Sequence, residues 1–90
     1  MKLKWQEPNS KHPWQAKSGI LVFQIWEMGS HEFETDLRFD YGIDLNTGTK
    51  YGGSIENCHV AYKYAKSLGE AKENARLLYD RFMQEIKKLT

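Results

Sequence analysis

The sequence predicts a small α+β domain: an antiparallel β-meander of three to five strands, followed by one long helix or two consecutive helices packed on one sheet face. Three observations predict it. Residues 20–27, Ile-Leu-Val-Phe-Gln-Ile-Trp-Glu, are β-branched and aromatic. Residues 31–41 alternate apolar and polar side chains at a period of two. From Cys58 to Leu89 the apolar residues recur at steps of three and four. Ninety residues suit one hydrophobic core, so a single domain 1–90 is expected, with an extended segment 1–18, a sheet 19–53 and a helical part 54–89.

Taken in order, residues 1–18 contain Pro8 and Pro13 around Asn9-Ser10, which implies extended or turn-like backbone with two short strands around Trp5 and Trp14, anchored by the two indoles. The strand at 20–27 ends on Met28-Gly29-Ser30, a hairpin signal. In the next strand Phe33, Thr35, Leu37, Phe39 and Tyr41 share one face, and Glu32, Glu34, Asp36, Arg38 and Asp40 share the other, which is expected to be solvated. Asn46-Thr47-Gly48 predicts a second, shorter hairpin joining 43–45 to 49–51. Ser54 then reads as a helix N-cap, and the stripe Cys58, Ala61, Tyr62, Ala65, Leu68, Ala71, Ala75, Leu78, Phe82, Ile86 and Leu89 as one helical face. An unbroken helix over 54–88 would reach about 52 Å at ~1.5 Å per residue, too long for this chain. The capping-box pattern Ser67-Leu68-Gly69-Glu70 therefore predicts a break, with helices near 54–66 and 68–88.

The strand at 20–27 is apolar on both faces, and its register decides which face meets the helix. A two-residue turn would pair Trp26 with Phe33 and leave Leu21, Phe23 and Ile25 beside the acids; one extra residue exchanges the faces. The uncovered face and the helical stripe together suggest a homodimer.

Composition excludes several classes. A hydrophobic fraction of 40% with net charge +1 is not that of a disordered chain. The longest aliphatic-aromatic run, Ile20 to Phe23, is far short of a membrane span. The N-terminus has no apolar signal core and Cys58 is the single cysteine, so a soluble, cytoplasmic protein is expected, in the host cytoplasm if it is phage-encoded. The charge is blocked: residues 1–30 carry +2, 31–58 carry −4 and 59–90 carry +3.

No constellation for catalysis is apparent, and the chain is read as a non-enzyme. Cys58 and His59 are adjacent but would diverge on a helix. His12, His31 and His59 lack metal-ligand spacing, so neither a metal nor a cofactor is expected. Gly48 to Ser54 lacks the lysine of a phosphate loop. Three strands before a helix is an order similar to that of plant ERF-type and phage integrase arm-binding domains, but their sheets must meet phosphates and this strand face is acidic.

These observations lead to a non-catalytic binding module, an inhibitor-type protein of phage or mobile-element character. It would contact a protein partner with a basic surface through Glu32, Glu34, Asp36 and Asp40. The alternative is nucleic-acid binding through the N-terminal lysines or through Lys63, Lys66, Lys72 and Arg76.

Overall fold

A computed structural model describes residues 2–51 and 57–89. Four strands, β1 (Trp14–Ser18), β2 (Leu21–Gly29), β3 (Glu32–Asp40) and β4 (Asn57–Ala65), form one antiparallel sheet in the order β1-β2-β3-β4, followed by the helix α1 (Leu68–Lys87). This is the expected meander and C-terminal helix, with α1 packed on the sheet chiefly against β3 and β4.

Tight turns set the register. Gly19, at φ 59°, is the first residue of the two-residue loop between β1 and β2, where glycine adopts positive φ without a Cβ clash. The β2–β3 loop is Ser30-His31, with His31 at φ 61°, and the pairing shifts by one residue between Glu27 and Gly29. This bulge at Met28 is the extra residue that exchanges the faces. Trp26 consequently lies opposite Glu34, and Gln24 opposite Asp36. Because a left-handed backbone costs a residue with a Cβ about 1–2 kcal/mol, and more for a β-branched one, His31→Val is expected to lower stability by roughly 1–2 kcal/mol relative to His31→Gly. Urea denaturation of the two variants measures that difference.

The face so selected carries the core. Leu21, Phe23, Leu37, Ala75 and Leu78 form one buried cluster, and Ile25, Ala65 and Ala71 another, with Trp5 against both. Ala71 and Ala75, both at 0% exposure, let the helix backbone approach the sheet closely. Thr35 uses that proximity, its Oγ1 donating to the Ala71 carbonyl at 2.7 Å. Asn74 Nδ2 donates to the Tyr64 carbonyl at 3.2 Å and ties α1 to β4. Phe39 and Phe82 meet edge to face at 5.2 Å, and Lys72 sits 4.4 Å from the centre of the Trp14 ring.

The first predicted helix is corrected: residues 57–65 form a strand. Cys58, Ala61, Tyr62 and Ala65 fit a helical stripe, but Ala61 and Ala65 also alternate with Tyr62 and Tyr64, and tyrosine suits a strand. Pairing with β3 decides between the two periodicities, because it satisfies the backbone groups that the two strands turn toward each other. The Ser54 N-cap and Gly52-Gly53 lie outside the described residues. The Ser67-x-x-Glu70 pattern does start α1: the Ser67 side chain accepts from the Glu70 backbone N–H at 3.1 Å, while Glu70 Oε2 accepts from the Lys66 backbone N–H at 3.4 Å. The hairpin around Gly48 is present as a bridge between Ile43 and Lys50, with Gly48 at φ 73°. At the N-terminus the short strand expected around Trp14 is β1, and the one expected around Trp5 is reduced to a bridge from Gln6 to Gln15 of β1.

The surfaces that suggested a dimer fare differently. Leu21, Phe23 and Ile25 are buried within one chain, and so is Val22 on the opposite face. At the helix end Phe82 packs on the core, while Ile86 and Leu89 remain exposed. No helix among the described residues is long and apolar enough to cross a membrane.

Candidate binding face of the sheet

Opposite α1 the strand registers align three rows of side chains. Gln15, Gln24, Asp36 and Tyr62 cross the four strands; Trp26, Glu34 and Tyr64 flank them on one side, and Lys17, Val22, Arg38 and His59 on the other. The middle row is buried up to Tyr62. Gln24 Nε2 donates to Gln15 Oε1 at 2.8 Å, and Asp36 is only 3% exposed. The acidic strand face is therefore not the uniformly solvated surface that alternation predicts. Glu32 is exposed and Glu34 half-buried, whereas Asp36 and Asp40 are buried.

Both buried acids are engaged inside the chain. Asp40 accepts the Gly42 backbone N–H at 3.0 Å and forms an ion pair with Lys50. Asp36 Oδ2 accepts from Arg38 at 3.1 Å, while its Oδ1 is buried without a hydrogen bond, 3.7 Å from His59 Nε2. Strict alternation could not reveal this, because Asp40 is engaged by Gly42 and Lys50 of the segment that follows β3, and Asp36 by Arg38 on its own strand face.

His59 reaches the site through an irregularity. Leu37 pairs with Ala61 but Arg38 pairs with His59, so β4 carries one extra residue at Val60. Without it, His59 would lie opposite Phe39 and face the helix; the bulge turns it toward Asp36. Its ring stacks on Tyr62 at 5.5 Å with the planes 28° apart, and Tyr62 meets Tyr64 edge to face at 5.4 Å. Among aromatic residues of this face Trp26, Tyr62 and Tyr64 remain exposed. A groove of about 490 Å³ lined by Met28, Glu32, Phe33, Tyr64, Ala65, Lys66 and Glu70 opens beside Tyr64, where the end of the sheet meets the start of α1. The sequence signals that could have marked these residues are Tyr62 and Tyr64 two apart, which is strand spacing, and Trp26 on a strand already apolar on both sides.

Partial burial first, and the neighbouring Asp36 carboxylate second, raise the Glu34 carboxyl above the ordinary carboxylate range. Glu34 in turn raises the Tyr64 phenol. An acid whose folded pKa is raised favours the fold at low pH and withdraws that contribution as pH climbs through the folded value. Glu34→Gln is accordingly expected to be more stable than wild type at pH 7, with the gap closing below about pH 4, where the unfolded carboxyl is also protonated. Urea midpoints at the two pH values test the sign.

The basic residues of the alternative reading are partly occupied. Arg76 is held by Glu73 and Asp80 and Lys72 lies over Trp14, while Lys63 and Lys66 are exposed at the far end of β4 and just beyond it. Cys58 is exposed and lies opposite Phe39 in the register. No family model, curated protein or solved structure matches the chain.

Proposed function

We propose that this chain is a non-catalytic binding module that holds a basic segment of a protein partner on the helix-free face of its sheet. The observation that carries the reading is the exposure of Trp26, Tyr62 and Tyr64 around the Glu34 and Asp36 carboxylates. Aromatic rings attract a guanidinium or ammonium through their faces, and carboxylates accept its N–H groups. Together they suit arginine or lysine side chains better than phosphate. Glu32 and Glu34 would make the outer ionic contacts, with the aromatic rings as anchors. Asp36 and Asp40 are removed from the predicted contact set, since their burial makes them supports of the face. A small, rigid module of this kind would act by occupying a basic surface on a larger protein, as an inhibitor does.

The test is capture from nuclease-treated lysate of the native cell, comparing wild type with a Trp26→Ala, Tyr64→Ala double variant. Both side chains are substantially exposed, so the variant should keep its circular dichroism. It is expected to lose the captured protein, with an affinity cost of about 2 kcal/mol or more. Equal capture by the two proteins would refute the reading, as would loss of all partners on nuclease treatment.

A further inference from the structure

We infer that Glu34, Asp36 and His59 form a binding site for one divalent transition-metal ion of the zinc class. One carboxylate oxygen from each acid and one imidazole nitrogen lie within 4.8 Å of one another. The second observation is Asp36 itself: its side chain is 4% exposed, and Oδ1 is buried, without a hydrogen bond, and directed into this group. Two ligands each about 2.1 Å from a tetrahedral ion stand roughly 3.4 Å apart. The 3.7 Å between Asp36 Oδ1 and His59 Nε2 is too long for a hydrogen bond and close to that bite.

The surrounding groups fit the same reading. Arg38 holds the other oxygen of Asp36, as a supporting group orients a metal-binding carboxylate. The β4 bulge brings His59 to the carboxylates, and Tyr62 stacks on its ring. Two neighbouring carboxylates repel each other when both are ionised, and a dication turns that repulsion into attraction. One nitrogen with two oxygens favours zinc, cobalt or manganese over magnesium and calcium, which prefer all-oxygen sites. The half-exposed imidazole leaves the remaining coordination positions open to solvent or to a ligand from outside.

The inference shares Glu34 with the proposed partner surface but requires no partner. Zinc titrated calorimetrically into the isolated full chain tests it. The expected result is one ion per chain, unaffected by millimolar magnesium, and a visible absorption band when cobalt replaces zinc. His59→Gln, at an exposed position, and Asp36→Asn should each weaken zinc by at least about tenfold, the loss seen even when a group that merely supports a metal ligand is removed. A His12→Gln, His31→Gln double variant should bind as wild type. Absence of zinc uptake, undiminished binding by His59→Gln, or loss of binding in the double variant would each overturn the site. If Asp36→Asn fails to fold, as circular dichroism would show, His59→Gln and the cobalt spectrum still decide.

Discussion

Asp36→Lys is expected to destabilise the fold by about 3–5 kcal/mol, the cost of leaving an uncompensated charge in a buried position. Asp36 lies in the middle of the sheet at 3% exposure, with Gln24 opposite it on one strand and Tyr62 on the other. Lysine there would oppose Arg38, which now donates to the carboxylate, and would stand beside His59. Simple alternation along β3 predicts instead a solvated site, where a substitution costs no more than about 0.5 kcal/mol. The two expectations differ several-fold, and chemical denaturation of the single variant separates them. Glu32→Lys serves as the control, because that side chain is exposed, and it should unfold with the wild-type midpoint.

Phe23→Ala should cost about 3–5 kcal/mol for a second reason, the cavity left when a buried ring is removed. Phe23 is at 0% exposure, in one cluster with Leu21, Leu37, Ala75 and Leu78. Helix and sheet both line the space, so collapse around the missing ring would require two elements to move together. The substitution also reports on register. Had the β2–β3 hairpin lacked its bulge, Phe23 would share a face with the acids and Trp26 would face the helix. Trp26→Ala would then be the severe substitution. The observed pairing assigns the large loss to Phe23, whereas Trp26, 40% exposed, should lose clearly less.

Much of the fold could be read from local pattern. β3 has one dominant periodicity, β2 is a β-branched and aromatic run closed by a turn signal, and the Ser67-x-x-Glu70 pattern marks the true start of α1. The segment 57–65 was not legible, because small residues and tyrosines there satisfy both a three-four step and a two step. The choice rests on pairing with β3, a long-range interaction. β1 is legible only as a short strand around Trp14, because five residues carry little periodicity and its turn rests on Gly19.

The candidate binding face was legible only in outline. The sequence placed Glu32, Glu34, Asp36, Arg38 and Asp40 on one side of a strand, and the structure keeps them there. What alternation could not show is which of these carboxylates are buried, since Asp40 depends on the Gly42–Lys50 segment folding back and Asp36 on its place in the middle of the sheet. Nor could it place His59 with them. A single extra residue in β4 carries His59 to the acids, and Tyr62 and Tyr64 belong to the same segment, whose three-four spacing reads as a helix.

The central claim, that the helix-free face recognises cationic side chains, is tested most directly by titrating the ¹⁵N-labelled protein with a short arginine-rich peptide at low ionic strength, with a glutamate-rich peptide of equal length as control. The account predicts shifts concentrated at the Trp26 indole and the Glu34, Tyr62 and Tyr64 amides, caused by the basic peptide alone and weakened by added salt. Shifts centred on the exposed face of α1, or the same shifts with the acidic peptide, would contradict it.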